Sequence, residues 1–407
     1  MFGLEREERI KRSGVREVFT PHKPINKIEF FFGRQKEVQK IIEQLNTPGQ
    51  HSLLYGERGV GKSSLAYIAS KLLLSQLLRG KLYYCRCDSS ASFESIFRDA
   101  LRDAGVDITI KQTELTSTND TKIDAKIPFL GGGYGSTKEI AETIQGFSER
   151  LSPSVVAEIL GGVKGLQVID EADRISNHED KLMIAELIKL LSDSGSDFKI
   201  LIVGIAETGG ELIENHESIS RCLRETRLGR MTDDELALII NEGAKKIGIS
   251  FSGSVIKKIV KISAGYPHFT HLLALKCAED AIAGAYKIIE LHNLKFALTR
   301  ACEDSEGTLS RIYENAVRSS NTEMYSVILR AAASLNKTEF SAKELRDQIN
   351  TLTQRDNSQQ LLTNYYKKLV SDGNTTIMRR TSKGVYRFND PRMPSYIKIA
   401  EKDILDN

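Results

Sequence analysis

The chain has 407 residues, more than one hydrophobic core normally serves, so we expect two or three domains. Its hydrophobic and charged fractions, 40% and 27%, are those of an ordinary globular protein and exclude a disordered or low-complexity chain. The net charge of +3 is unevenly distributed, because residues 340–400 carry eleven Lys or Arg against five Asp or Glu. The positive charge therefore belongs to the C-terminal part of the chain.

Membrane association is not expected from the sequence. Apolar runs such as residues 200–206 are far shorter than the about 20 residues that span a bilayer. Residues 1–12 are charged throughout and show no apolar signal region, so a cytoplasmic location is expected.

The first part of the chain leads into a strand. Residues 1–29 are polar and contain Pro21 and Pro24, which indicates an N-terminal arm with one short helix. The apolar spacing from Val38 to Leu45 predicts a helix that ends at residues 47–49, Thr-Pro-Gly. The apolar residues 52–55 then predict a buried strand.

The strongest motif is the stretch Gly-Glu-Arg-Gly-Val-Gly-Lys-Ser at residues 56–63. It follows the strand and opens a helical pattern at residues 64–78, which is the context that a phosphate loop needs. Glycines let backbone N–H groups surround phosphate oxygens, Lys62 can reach the β- and γ-phosphates, and the Ser63 hydroxyl can coordinate Mg²⁺. We therefore predict bound ATP and Mg²⁺. The residues assigned to the nucleotide here are Gly56, Glu57, Arg58, Gly59, Val60, Gly61, Lys62, Ser63 and Ser64.

Residues 106–137 interrupt the alternation of strands and helices. They are rich in Thr, Asn, Asp and Gly and contain two alternating pieces, at 107–110 and 122–127. A structureless segment of this length is unusual in a compact domain and is often functional. We expect either a hairpin insertion or a disordered spacer, followed by a helix at 138–160 with a break at Pro153.

A second motif, Val-Ile-Asp-Glu at residues 168–171, ends another buried strand. An acidic residue at this place beside a phosphate loop orients Mg²⁺, a role that we assign to Asp170. Glu171 follows directly and can polarise a water for attack on the γ-phosphate as a general base. This adjacent base favours hydrolysis over transfer to a small molecule, so a small-molecule kinase is a weak alternative.

The order of elements predicts the fold class. Nearly all-apolar strands alternate with helices, which indicates an α/β domain with a parallel sheet and helices on both faces. We assign residues 30–230 to this P-loop domain. From residue 231 to 305 the pattern is helical, beginning with the capping box Thr232-Asp233-Asp234-Glu235, and indicates a helical lid.

Residues 306–407 are predicted to form a winged-helix domain. Three helical patterns, at 324–333, 341–348 and 358–370, precede two strand patterns at 376–380 and 385–388. A basic helix beside a basic wing suits insertion into a DNA groove with contacts to phosphates. The alternative is a packing or autoinhibitory surface whose charges form only a solvated face. The residues that we assign to duplex DNA are Lys367, Lys368, Arg379, Arg380 and Lys383.

Five cysteines are few for a chain of this length. Cys85 and Cys87 alternate along a predicted strand and would share one of its faces. A metal site would need two more ligands nearby, and none is apparent. We therefore favour buried, reduced thiols.

With these motifs the chain resembles the AAA+ ATPases, and within them the origin-recognition-like branch with its transposon, helicase-loader and STAND signalling neighbours. The resemblance rests on the phosphate loop, the Asp170-Glu171 pair and the predicted winged helix. Weaker parts of it are Phe-Gly-Arg at 32–34 with Glu37, Ser-Ile-Ser-Arg-Cys-Leu at 218–223 before Arg-Met-Thr-Asp-Asp-Glu-Leu at 230–236, and Gly-Tyr-Pro-His at 265–268. It extends from Phe31 over nearly the whole remaining chain.

The resemblance implies further roles. Phe32 and Gly33 would lie near the adenine. Arg221 matches the position of an arginine finger that reaches the γ-phosphate of a neighbouring subunit, with Arg224 as the second candidate; both could instead be plain surface residues. An arginine finger supplied in trans would couple turnover to the formation of a homo-oligomer.

The sequence departs from the family at two sensor positions. No Asn, Ser or Thr follows Val203, where a polar residue usually senses the γ-phosphate. His268 stands where a sensor arginine is expected, and a neutral imidazole does not replace a guanidinium charge. His268 contacts either phosphate or neighbouring helices, and His271 would share its face. We therefore expect slow hydrolysis, as in a switch, unless another residue substitutes.

Two functions follow. The leading hypothesis is an oligomeric ATP-dependent switch ATPase that binds duplex DNA through its winged helix, with ATP driving assembly and hydrolysis releasing it. The alternative is a STAND-like signalling or defence regulator, in which the winged helix holds a closed ADP state and the output passes to a protein effector.

Overall fold

The computed structural model describes residues 4–111, 122–126, 151–206, 209–210, 219–304, 307–318, 322–370 and 376–402, and at 107–111 and 122–126 only the backbone. Its internal contacts divide the chain into two compact units. The sheet unit consists of residues 34–57 and 62–229. The helical unit consists of residues 1–33, 58–61 and 230–407. Residues 58–61, the tip of the phosphate loop, therefore belong to the helical unit. The three-domain division of the sequence stays a prediction.

The sheet unit is built on five parallel strands: β1 (His51–Gly56), β2 (Lys81–Arg86), β5 (Gly165–Asp170), β6 (Phe198–Ile205) and β7 (Leu223–Arg227). Their order in the sheet is β2-β5-β6-β1-β7. Every residue of β5 is buried, and in β6 only Ile205 is exposed. Strands that are buried along nearly their whole length are covered on both faces, which confirms the predicted parallel α/β fold.

Five described helices accompany the sheet: α3 (Gln35–Asn46), α4 (Lys62–Leu73), α5 (Phe93–Asp103), α6 (Pro153–Gly161) and α7 (His178–Asp193). A π-helical turn at Leu74–Leu78 extends α4. Pro153, where we expected a break, begins α6, with the non-helical Ser152 as its N-cap. Proline suits this first position because the N–H that it lacks would have no intrahelical partner there. Residues 138–150 of the predicted helix lie outside the described part of the chain.

The predicted insertion contains two paired strands. β3 (Asp107–Lys111) and β4 (Lys122–Lys126) run antiparallel, from Asp107 opposite Lys126 to Lys111 opposite Lys122. This pairing agrees with the hairpin alternative rather than with a disordered spacer. The remaining residues of the insertion lie outside the described part.

The helical unit begins with the arm and continues after residue 230. The arm holds α1 (Leu4–Ser13), α2 (Val15–Val18) and a 3₁₀ turn at Ile28–Phe30, more helix than the sequence indicated. The lid helices are α8 (Asp233–Lys246), α9 (Gly253–Ser263), α10 (Pro267–Ala283) and α11 (Leu291–Asp304), with a short parallel pair, β8 (Ser250–Phe251) and β9 (Ile288–Ile289). The predicted capping box between Thr232 and Glu235 opens α8. Helix α1 packs against α10.

The C-terminal part of the helical unit contains the predicted helices and strands and two further helices. Its elements are α12 (Gly307–Val317), α13 (Met324–Ser334), β10 (Phe340–Ser341), α14 (Ala342–Thr353), α15 (Gln359–Val370), β11 (Met378–Ser382), β12 (Val385–Phe388) and α16 (Met393–Glu401). The strands form an antiparallel sheet in the order β10-β12-β11. The sequence did not indicate α12 or α16. The assignment of residues 306–407 as a winged-helix domain stays a prediction.

Within the described residues, no helix combines the length and the apolar character that crossing a bilayer requires.

Candidate nucleotide site

The phosphate loop connects β1 to α4 and depends on glycine at its start. Gly56 has φ +152°, and a β-carbon there would overlap the carbonyl oxygen of Leu228. The loop glycine Gly59 also has a positive φ, +85°. Side chains other than glycine rarely adopt these conformations, so the predicted loop needs glycine for its path as well as for access to phosphate.

Lys62 begins α4 and is 8% exposed. Its Nζ donates to the carbonyl oxygens of Gly56 at 2.9 Å and Glu57 at 2.8 Å. The ammonium therefore lies over the loop's own carbonyls. Phosphate oxygens would attract the same charge, as predicted for this residue.

Asp170 is the last residue of β5, is 2% exposed and is tied to the loop. Its Oδ1 accepts a hydrogen bond from the Ser63 hydroxyl at 3.2 Å and one from the Glu171 N–H at 3.0 Å. Its Oδ2 accepts a hydrogen bond from the Tyr84 hydroxyl at 2.6 Å. The two residues that the sequence assigned to metal, 107 positions apart, are thus in direct contact.

Tyr84 was not found by sequence reasoning. It lies on β2, which pairs with β5, and burial together with the charge of Asp170 raises the pKa of its hydroxyl. The hydroxyl stays protonated and fixes the orientation of the carboxylate. Finding it from the sequence would have required the order of the strands.

The donors fit Mg²⁺. A serine hydroxyl and one carboxylate are hard oxygen ligands, and Mg²⁺ usually takes one or two protein ligands with water and substrate phosphates. In the described part of the chain no cluster of three or more His, Cys, Asp or Glu offers an all-protein metal cage. Ser63 and Asp170 would hold the ion, which when bound neutralises charge on the β- and γ-phosphates.

Glu171 is constrained by its backbone and by two arginines. It has φ +57°, a left-handed conformation that is uncommon for glutamate. Its carboxylate forms ion pairs with Arg86 at 3.1 Å and Arg174 at 2.8 Å. A carboxylate held in this way can act as general base only after giving up part of this pairing.

Arg221 and Arg224 are both exposed residues of the sheet unit. The Nη2 of Arg221 lies 2.7 Å from Oδ1 of Asp193, and its side chain is 69% exposed. Arg224 lies on β7 opposite Ser52. Such exposure is required of an arginine finger, whereas Ser218 of the same motif lies outside the described residues.

Gly33 packs against the start of α8. It has φ +73°, and a β-carbon there would lie 2.8 Å from Cε of Met231. Phe32 precedes it in partly buried, irregular backbone. The adenine role of both residues stays a prediction.

His268 and His271 share a face of α10, as predicted, and that face contacts the N-terminal arm. The Nδ1 of His268 lies 2.9 Å from the Pro21 carbonyl oxygen. The Nδ1 of His271 accepts a hydrogen bond from the Thr20 N–H at 3.3 Å. Burial, and next the charge of His268, lowers the pKa of His271 to about 4. A phosphate contact of His268 stays a prediction.

The tip of the phosphate loop meets a second charged pair, within the helical unit. A β-carbon on Gly59 would lie 2.9 Å from Cδ of Arg392, so the arginine stem packs on the loop. Arg392 donates to Asp390 from Nε at 3.0 Å and from Nη2 at 2.7 Å. Burial alone would raise the pKa of Asp390, but the bonds and charge of Arg392, with the charge of Arg58, lower it overall. Sequence reasoning counted Arg392 only as part of the C-terminal basic charge.

All five residues predicted to bind DNA are exposed. Lys368 lies on α15, its Nζ 4.5 Å from the centre of the Tyr325 ring. Arg380 lies on β11 and donates from Nε to the Ser382 carbonyl at 3.1 Å. The remaining three are Lys367, Arg379 and Lys383.

A parallel α/β sheet with a phosphate loop after β1 and an acidic pair at the end of β5 is the arrangement typical of a P-loop NTPase. The family model of novel STAND NTPase 1 (nSTAND1) matches residues 24–363. The chain therefore belongs to this family of STAND NTPases. Among curated proteins, none matches the chain.

Solved structures resemble the fold. ORC2 of Aeropyrum pernix, in ADPNP and ADP complexes, is 15% identical with a TM-score of 0.51, covering 96% of this chain and 97% of that one. A Walker-type ATPase of Pyrococcus abyssi is 17% identical with a TM-score of 0.49, covering 94% and 99%. ORC1 of Aeropyrum pernix in complex with DNA is 15% identical with a TM-score of 0.48, covering 96% and 97%. At these identities the likeness concerns the fold alone.

Proposed function

We propose that this NTPase is an ATP-dependent switch that hydrolyses ATP slowly to ADP and phosphate. The observation that carries the proposal is the bond between Ser63 and Asp170, with Glu171 directly after it. In this mechanism the loop N–H groups and Lys62 hold the phosphates, and Ser63 and Asp170 hold Mg²⁺. Glu171 takes a proton from the attacking water.

Slow turnover follows from three features of the chain. Glu171 is paired with two arginines, and one of these ion pairs must open before it can accept a proton. The strand that should end in a polar sensor continues as Ile205 and Ala206. His268 stands in place of the expected sensor arginine and contacts the Pro21 carbonyl oxygen of the arm.

The proposed switch acts through assembly. The exposed Arg221 of one subunit would reach the γ-phosphate held by its neighbour, so ATP would join subunits and hydrolysis would separate them. Light scattering should give a larger particle mass with ATP and Mg²⁺ than with ADP. A Lys62→Ala variant should remain small under both conditions. If that variant assembles normally with ATP, the proposal is wrong.

Duplex DNA is the first candidate partner, because all five predicted contact residues are exposed cations of α15 and the β11–β12 hairpin. Each phosphate contact contributes about 0.9 to the dependence of log affinity on log salt, so losing two lowers this slope by about 2. An Arg379→Ala/Arg380→Ala variant should show this smaller slope when its DNA affinity is measured at a series of salt concentrations. Lys245→Ala/Lys246→Ala, which removes exposed cations of α8, is the matched control. Equal retention of DNA by both variants would exclude this interface.

A STAND-like regulator of a protein effector is the second candidate. It is favoured by the contact of Arg392 with Gly59, since a C-terminal arginine against the phosphate loop can make the C-terminal part respond to the nucleotide. Mass measurements with ATP and ADP, with and without duplex DNA, separate the candidates. Assembly that ignores DNA and requires a protein partner supports the regulator, whereas assembly promoted by DNA supports the first candidate.

A further inference from the structure

Strand β2 has two chemically different faces at its carboxyl end. Tyr84 and Arg86 lie on one face, where Tyr84 donates to Asp170 and Arg86 pairs with Glu171. Side chains alternate across a strand, so Cys85 and the following Cys87 project from the opposite face. A pair of thiols therefore backs the residues that hold the predicted metal ligand and general base.

The two thiols differ in exposure. Cys87 is 1% exposed and belongs to the core cluster of the sheet unit, whereas Cys85 is only partly buried, contrary to our expectation that both are buried. Interaction with the neighbouring Cys87 side chain lowers the pKa of the Cys85 thiol. Solvent reaches Cys85 first, and its nearest reaction partner is Cys87.

We propose that Cys85 and Cys87 form an oxidative modification site, in which a peroxide converts the thiol pair to a disulfide and disturbs the hold of β2 on Asp170 and Glu171. The consequence for turnover, though not the modification itself, depends on the proposed ATPase function.

The reaction balances with hydrogen peroxide as the oxidant. The Cys85 sulfur attacks one peroxide oxygen, the O–O bond breaks, and the products are a sulfenic acid on Cys85 and one water. The Cys87 sulfur then attacks the Cys85 sulfur, the S–S bond forms, and the hydroxyl leaves with the Cys87 proton as a second water. Two thiols lose two electrons, and one peroxide becomes two waters.

Closing this disulfide must deform the end of β2. Residues two apart on an extended strand have α-carbons about 6.6–6.8 Å apart, at the upper limit of about 6.8 Å for disulfides. Their β-carbons would have to approach to about 3.8 Å, so the backbone cannot stay extended.

The deformation reaches the predicted metal ligand directly. The ladder between β2 and β5 ends with Arg86 opposite Asp170, and the Cys87 N–H continues it with a bond of 2.8 Å to the Asp170 carbonyl oxygen. Bringing Cys85 and Cys87 closer together therefore pulls on this hydrogen bond. It also displaces Tyr84, which directly precedes Cys85 in the chain.

The test uses the full chain, treated with hydrogen peroxide and examined by peptide mass spectrometry. The wild type should lose two hydrogens on the peptide that carries both cysteines. Cys85→Ser should stay unchanged there, and Cys87→Ser should stop at a sulfenic acid that dimedone traps. Cys302→Ser removes the other partly exposed thiol and should behave as the wild type. Oxidation confined to Cys302, or a sulfenic acid without disulfide in the wild type, would overturn the proposal.

Turnover gives the second readout. Removing a partner of a metal ligand typically costs about 10–100-fold in activity or metal affinity, so the oxidised wild type should hydrolyse ATP about tenfold more slowly. Dithiothreitol should restore the rate, and Cys85→Ser should be insensitive. If a serine variant proves unstable by circular dichroism, Cys87→Ala replaces it, because this variant cannot form the disulfide either. A complete disulfide that leaves turnover unchanged would refute the coupling, whereas absence of turnover in the reduced protein would refute only the proposed ATPase.

Discussion

Replacing Arg392 by alanine should destabilise the helical unit in a way that depends on pH. The arginine side chain is 6% exposed and the Asp390 side chain 17% exposed, so this is a largely buried ion pair. Three hydrogen bonds from Arg392 satisfy the carboxylate, one from the backbone at 2.9 Å and two from the guanidinium. The variant keeps the backbone bond but leaves the charge of Asp390 without its main partner.

The magnitude follows from this geometry. Breaking a buried pair by removing one partner costs about 3–5 kcal/mol. The lower end applies here, because Asp390 keeps some solvent contact and Arg58 remains as a second nearby charge. A loss of about 3 kcal/mol corresponds to a melting temperature lower by about 6–12 °C for a unit of about 200 residues.

The pH dependence tests the cause. In the wild type the pKa of Asp390 is lowered, so its contribution to stability is present above the ordinary carboxyl value and is lost only when the pH falls through the lower, folded-state pKa. In the variant, burial dominates and the pKa rises above the ordinary value. Protonation then relieves the buried charge, so the stability difference between the two proteins should narrow as the pH falls from about 7.5 to about 5.

Urea unfolding followed by circular dichroism at both pH values is the assay. Asp390→Asn/Arg392→Met removes both charges and should recover much of the loss, because the unpaired carboxylate is its main source. Lys383→Ala, at an exposed position, should change stability by less than about 0.5 kcal/mol. A loss of stability below about 1 kcal/mol would refute the reasoning, because exposed ion pairs contribute no more than that. A loss that is the same at both pH values would also refute it.

Three further predictions concern turnover and acid stability. Glu171→Gln should lower the ATP hydrolysis rate by about 10²–10⁴-fold without lowering ATP affinity, as measured by phosphate release and calorimetry. Arg221→Ala should leave the melting temperature unchanged, since it removes an exposed ion pair, but abolish a rise of specific activity with protein concentration. His271 has a folded-state pKa of about 4, so the unfolded state binds the extra proton below about pH 6.5. Stability should fall by about 1.6 kcal/mol from pH 6.5 to 5, and His271→Gln should reduce that loss.

The elements that could be predicted are those whose signals are local. In the sheet unit, the buried strands β5 and β6 show as largely apolar runs. In the helical unit, the capping box at Thr232 shows as a four-residue pattern. The predicted boundaries of α15, residues 358–370, agree with the structure to within one residue. Helices α12 and α16 were not predicted, although their apolar residues follow helical spacing, as Leu309 and Tyr313 do on the buried face of α12.

Only those site residues that stand in local sequence motifs could be predicted. Lys62, Ser63, Asp170 and Glu171 stand in motifs whose spacing reflects their chemistry. Tyr84 could not be assigned, because its hydroxyl meets Asp170 across the pairing of β2 with β5, which no local pattern encodes.

Arg392 lies 333 positions after Gly59, yet it packs on that residue. Nothing in its neighbourhood distinguishes it from the other basic residues at the C-terminus. The ion pair between Glu171 and Arg86 could not be predicted either, because Arg86 lies on another strand.

In the proposed switch, ATP and ADP must be distinguished by residues that bind them differently, since a ligand with equal affinity for two states shifts neither. The two nucleotides differ only in the γ-phosphate. Within the sheet unit, the Lys62 ammonium lies on the carbonyl oxygens of Gly56 and Glu57. A γ-phosphate would compete with these carbonyl oxygens for the Lys62 ammonium, and ADP would lack that competing anion. The discrimination would therefore arise at Lys62, which is why Lys62→Ala is the variant expected to lose the response to ATP.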